Sequence, residues 1–154
     1  MTNYRILFYG FVAIVIATLL LLLYVDRSVT IKKRVFRVRG SEEGISELKL
    51  LIHVRNGTRR MLEHVRVIDI MTMMVELTQE LSTLKPDKIQ QGTRSMRLIW
   101  DITSIAPHEE RVITYKVKAR LHIAGQVMLP PVSLHYMHGN TLMSVRSAPV
   151  TYRA

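Results

Sequence analysis

The stretch "LIWDITSIAPHEERVITYKVKARLHI", Leu98 to Ile123, decides how the chain is read. Apolar and polar residues alternate, break over a short segment containing Pro107, and then alternate again. After the break Ile113, Tyr115, Val117, Ala119, Leu121 and Ile123 fall on one face. Val112, Thr114, Lys116, Lys118, Arg120 and His122 fall on the other. A period of two marks a β-strand with one face turned to a core. Proline cannot donate to a β-ladder, so "SIAPHEE" is the connection rather than part of either strand.

Working outward, the same period recurs. "VTIKKRVFRVR" (Val29 to Arg39) places Phe36 and Val38 on one face. "ISELKLLIHVRN" sets Leu48, Leu50, Ile52 and Val54 opposite Lys49, His53 and Arg55. Asn56-Gly57-Thr58 follows as a turn, because Asn and Gly tolerate positive φ. "LEHVRVIDI" carries Val65 and Val67 on one side before Asp69. The next segment is the least regular and predicts a short helical turn over Glu76 to Leu81, then a loop through Pro86 and Gly92. In "SMRLIWDI", Leu98, Trp100 and Ile102 share a side. "QVMLPPVSLHY" is interrupted by Pro130-Pro131, and "TLMSVRSAPVTY" follows a Gly139-Asn140 turn. The expected fold class is all-β: an immunoglobulin-like antiparallel β-sandwich of about seven strands, with Trp100, Tyr115 and Phe36 as large core fillers.

The chain begins differently. "ILFYGFVAIVIATLLLLLYV", Ile6 to Val25, has no charge and no proline. About 20 apolar residues in a helix match the hydrocarbon thickness of a bilayer. Tyr4, Tyr9 and Tyr24 stand near the ends, where amphipathic rings settle. No small-x-small cleavage site follows, so an uncleaved N-terminal transmembrane helix is expected rather than a signal peptide. The division is an anchor over 1–27 and a sandwich domain over 28–154. Arg27, Lys32, Lys33, Arg34, Arg37 and Arg39 follow the anchor, and the positive-inside rule would hold them in the cytoplasm.

The 154 residues carry a formal charge of +10 and no cysteine. Disulfides, thiolate zinc sites and cysteine nucleophiles are excluded. The basic balance favours anionic partners: acidic lipid, acidic glycan or nucleic acid. Nucleic acid is disfavoured, because few aromatic residues stand among the basic ones to stack bases. Candidate anionic-surface contacts are Lys32, Lys33 and Arg34 beside the membrane and Lys116, Lys118 and Arg120 on the long strand. A purely solvated basic surface is the competing reading.

Catalytic signals are sparse. His135 and His138 have i, i+3 spacing, but on a strand they point to opposite faces. His53 and His122 alternate with basic residues on polar faces. Asp69 and Asp101 are candidates to anchor loop backbones through Asx-type hydrogen bonds. No nucleophile elbow, phosphate-binding glycine loop or His-Glu-x-x-His stands in the chain. No catalytic, cofactor or metal site is assigned, and no enzyme is expected. Asn56-Gly57-Thr58 also satisfies the N-glycosylation pattern, which makes Asn56 a candidate acceptor.

Taken in order, Asn56, Leu62, Val65, Val67, Asp69, Leu98, Trp100, Ile102, Pro107, Glu109, Ile113, Tyr115 and Val117 carry a resemblance. The region from Val29 to Tyr152 resembles the conserved-repeat immunoglobulin-like domain (domain of unknown function eleven type) of archaeal and bacterial cell-surface proteins. Two positions depart from that pattern: "DIMTMM" lacks the proline after the aspartate, and His108 stands where the turn glycine would be. The resemblance implies an extracytoplasmic, non-catalytic module that spaces or attaches envelope components. The leading expectation is therefore a single-pass membrane protein whose sandwich projects outside and contacts envelope protein or acidic glycan. The alternatives are a cytoplasm-facing basic adaptor on anionic membrane, or a filament or stator component of the pilus and archaellum kind.

Overall fold

The computed structural model describes residues 3–25, 28–39, 45–81, 83–120 and 126–153. Within the N-terminal helix α1 (Asn3–Val25), side chains are described at Tyr4 and over 7–21. Leu121, His122 and Ile123 lie outside the described residues, as does the side chain of Arg120.

After α1 come eleven strands: β1 (Val29–Arg39), β2 (Ile45–Asn56), β3 (Leu62–Thr72), β4 (Val75–Leu81), β5 (Lys88–Gln91), β6 (Ser95–Ile105), β7 (Glu110–Arg120), β8 (Gln126–Leu129), β9 (Ser133–His138), β10 (Thr141–Arg146) and β11 (Val150–Arg153). They exceed the expected seven for two reasons. Pro130-Pro131 and the Ser147–Pro149 segment each divide one expected strand into two, and the irregular region folds as β4 and β5 rather than as a helical turn. In β4 the β-branched and alternating residues Val75, Leu77 and Thr78 favour pairing with β7 over a helix.

One sheet has the order β1-β2-β7-β4, a second β10-β9-β3-β6-β5, and β11-β8 forms a two-stranded ribbon; all pairings are antiparallel. The larger sheets bury their apolar faces in one cluster, as strands with one apolar face must. Leu48, Leu50, Ile52 and Val54 are all 0% exposed, as the alternation in β2 requires. They share the core with Val65, Val67, Leu98 and Trp100 from the opposite sheet. Trp100 and Tyr115 meet across the sandwich with ring centroids 5.7 Å apart. The Trp100 indole donates to the Leu84 carbonyl at 3.1 Å, which satisfies its polar edge.

Phe36 is not a core residue. It is 48% exposed, because β1 turns Val29, Ile31 and Lys33 inward and the even positions outward. Alternation establishes which residues share a face; it does not say which face is buried.

In α1 the described large apolar side chains are exposed, from Leu7 at 69% to Leu21 at 62%, except half-buried Val12. Among the described residues no helix is long and apolar enough to cross a membrane.

Candidate functional site

Two groups of polar side chains stand out, one sealed in the core and one on the outer face of the five-stranded sheet. The buried group joins three strands. Lys33 from β1 donates from Nζ to Asp69 Oδ1 in β3 at 2.6 Å, and to the Pro130 carbonyl at 3.2 Å. Tyr115 from β7 donates its hydroxyl to Asp69 Oδ2. Both charged side chains have 0% relative exposure.

Burial pushes the Asp69 carboxyl up and the Lys33 amine down, each toward its neutral form and against the attraction between them. Burial, reinforced by the adjacent Asp69, drives the Tyr115 phenol well above 10.0.

Two expectations are corrected here. Lys33 is no contact for an anionic surface, since its amine faces the core. Asp69 anchors no loop: it stands within β3, where its carboxylate holds side chains from two other strands and accepts from the Ile70 backbone N–H. No local pattern announces this arrangement, because the partners are 36 and 46 residues apart.

Asn56 is also corrected. It is 0% exposed, and its Nδ2, the atom that would carry a glycan, donates to the carbonyls of Arg60, Ile105 and Ala106 at 2.8, 3.2 and 2.9 Å. Its Oδ1 accepts from the backbone N and hydroxyl of Thr58 at 3.0 and 2.7 Å. In the folded domain Asn56 is a clamp between the 56–60 turn and the β6–β7 connection, closed to a glycosyl transferase.

The outer group lies across β6, β3 and β9. Asp101, Arg66 and His135 stand side by side in the strand register. Arg66 Nε donates to Asp101 Oδ1 at 2.5 Å, and this bond holds the Asp101 carboxyl below its ordinary value. Beside them His64, at φ 49°, sits where the β3–β9 pairing shifts register. Such a bulge re-aims a side chain. With Met137 and Leu142 these residues line a shallow open groove of about 800 Å³. Leu142 is 66% exposed, and Met143 beside it 44%. Sequence reading placed Asp101 and His135 separately; the bulge and the strand order bring them into one groove.

The remaining basic candidates divide. Lys32 and Arg34 are exposed on β1 and border a small depression with Leu51 and His53. His53 Nε2 lies 2.9 Å from Glu110 Oε2. Lys118 is exposed but stands between Glu47 and Glu76 in the register, and Lys116 is half-buried. The long-strand face is thus interleaved with acids rather than uniformly basic. Asp87, not singled out by sequence, holds a backbone in place: its Oδ2 accepts from the Asp101 N–H at 2.7 Å. Among the described residues, no group of three or more His, Asp or Glu is placed to hold a metal ion.

No family model matches the chain, and no curated protein is similar to it at the level of sequence. Several solved structures match the chain. A Bordetella pertussis protein assigned as ApaA has a TM-score of 0.53 at 12% identity, covering 82% of this chain and 93% of its own. The GH20 exo-β-N-acetylglucosaminidase of Vibrio harveyi has a TM-score of 0.48 at 7% identity over 76% of this chain; the match spans 17% of that enzyme. A protein from Archaeoglobus fulgidus has a TM-score of 0.39 at 9% identity. The likeness to the Bordetella protein concerns the fold alone.

Proposed function

We propose that this chain is a non-catalytic interaction module of immunoglobulin-like build, held at a membrane by its N-terminal helix, with the outer face of the β10-β9-β3-β6-β5 sheet as its contact surface. The groove on that face carries the reading. Exposed Leu142 and the adjacent Met137 flank Arg66 and His135, so apolar area and hydrogen-bonding groups face outward together. Such a combination suits an elongated partner laid across the strands. The acid, amine and phenol that burial pushes toward their neutral forms, Asp69, Lys33 and Tyr115, are sealed inside, away from any diffusible substrate.

The immunoglobulin-like assignment, and with it the likeness to conserved-repeat surface domains, is supported by the strand order. The β10-β9-β3-β6 row faces β1-β2-β7, and the chain passes from one layer to the other between β2 and β3 and between β6 and β7, as in such sandwiches. The anchor is supported by the apolar, uncharged 6–25 segment and by the exposure of α1's described apolar side chains. The domain faces outward, toward envelope protein or acidic glycan. Protease treatment of intact cells is expected to remove it; protection until lysis would place it in the cytoplasm.

The cytoplasmic adaptor is the second reading, favoured by Lys32 and Arg34 exposed close to the anchor. Salt-sensitive attachment of residues 28–154 to acidic vesicles is its signature. The contact surface itself is tested by Leu142→Glu with Arg66→Glu. Their combination is expected to abolish crosslinking to neighbouring envelope protein or glycan at unchanged melting temperature. Undiminished crosslinking would move the contact elsewhere.

A further inference from the structure

We infer that Lys33 and Asp69 are joined by an intramolecular isopeptide bond that staples the two sheets of the sandwich together. The amine nitrogen lies 2.6 Å from one carboxyl oxygen, and both side chains are fully enclosed. That contact is the hydrogen-bonded separation of an ion pair; it sets Nζ beside the carboxyl carbon it would attack, so that orientation replaces an encounter in solution. The strands that carry them, β1 and β3, belong to opposite sheets, so the link crosses the core.

The chemistry balances without an oxidant, a reductant or a bound group. Proton transfer within the pair gives an uncharged amine and an uncharged carboxylic acid, the forms that burial favours for each. The Nζ lone pair attacks Asp69 Cγ and forms the C–N bond. One Nζ proton passes to a carboxyl oxygen, the C–O bond breaks, and that oxygen leaves with two protons as water. The remaining Nζ proton becomes the amide N–H.

The neighbours suit each step. The Pro130 carbonyl accepts a hydrogen from Nζ at 3.2 Å and orients the nitrogen. Tyr115 donates its hydroxyl to Oδ2, where it stabilises charge on the tetrahedral intermediate and relays a proton to the departing oxygen. Trp100, packed on the Tyr115 ring, helps to keep bulk water from reversing the condensation. A simple buried ion pair would satisfy the same contacts, but it would leave the mass of the chain unchanged.

Mass therefore decides. The folded full-length chain, 17.8 kDa by composition, is expected to weigh about 18 Da less than its sequence, one water. Trypsin is expected to release Val67–Lys88 carrying Lys33-Arg34 as a branch from Asp69, since Lys85 is followed by Pro86. Lys33→Met is expected to show the full sequence mass. Tyr115→Phe is expected to fold and to link about a hundredfold more slowly, so that unlinked chain accumulates. Full mass in the folded wild-type chain overturns the proposal. So does a mass deficit without the branched peptide, or an equal deficit in Lys33→Met.

Discussion

Asn56 has its amide nitrogen shared among the carbonyls of Arg60, Ile105 and Ala106, so one side chain closes two turns at the end of the sandwich. Replacing it with alanine leaves those carbonyls without their donor in a buried place. Asn56→Ala is expected to lower stability by about 3 kcal/mol, read from the urea midpoint. A loss below about 1 kcal/mol would show that water replaces the amide. The turn it clamps spans Ala106–Glu109, with Glu109 N–H donating to the Ala106 carbonyl at 3.1 Å and His108 at φ 60°. That position of a type II turn favours glycine. His108→Gly is expected to raise stability by roughly 1 kcal/mol by relieving the left-handed strain. The missing turn glycine was visible in the sequence; the positive φ that histidine accepts there was not. Tyr115 adds a pH signature. Its phenol, raised above 10.0 first by burial, keeps its proton in the folded chain after an unfolded chain has lost it. Stability from this group is complete below pH 10.0 and falls as pH rises beyond it. Ultraviolet titration is expected to show one tyrosine that ionises only on unfolding.

At the scale of elements, the strands divide into a shielded centre and exposed margins. β2, β7, β9, β3 and β6 each pair on both sides, whereas β5 and β10 are sheet edges with mostly exposed side chains. Amide hydrogen exchange is expected to be slowest in these five central strands and fastest in β5, β10 and the β8–β11 ribbon. Slow exchange along β10 would reveal that its free edge is paired in solution. β1 supplies a sharper contrast, because its parity puts lysine inside and phenylalanine outside. Leu50→Ala in the adjacent β2 is expected to cost about 3 kcal/mol. Phe36→Ala is expected to cost less than about 1 kcal/mol, despite removing the larger side chain. Comparable losses in the two denaturation curves would contradict the parity observed for β1.

At the scale of the whole molecule, the proposed function assigns attachment to the apolar helix and contact to the sandwich, which has its own core. A chain of residues 28–154 is expected to retain the near-ultraviolet circular dichroism of Trp100 and to leave the membrane fraction for the supernatant. If it still sediments with membranes, attachment resides in the sandwich rather than in α1. The exposed groove and the sealed core group are separate devices on this scale. Leu142 and Arg66 face outward, whereas Lys33, Asp69 and Tyr115 meet between the sheets. Changes at one are expected to leave the other intact, since they share no side-chain contact among those described.

Alternation along the chain was enough to establish most of the strands, though not β4 and β5, several of their turns, and the layered arrangement that one-sided apolar strands require. It also picked out Trp100 and Tyr115 as core residues, because large rings on the apolar side of central strands have nowhere else to go. The face that β1 buries, and therefore the fates of Lys33 and Phe36, was decided only in three dimensions. Parity in a strand is a relative quantity, and a lysine turns inward only when a distant chain segment supplies its counter-charge. Asp69, Tyr115 and the Asn56 acceptors meet across sequence separations of 36 to 50 residues. Local periodicity carries no record of such encounters; the packing of the two sheets creates them.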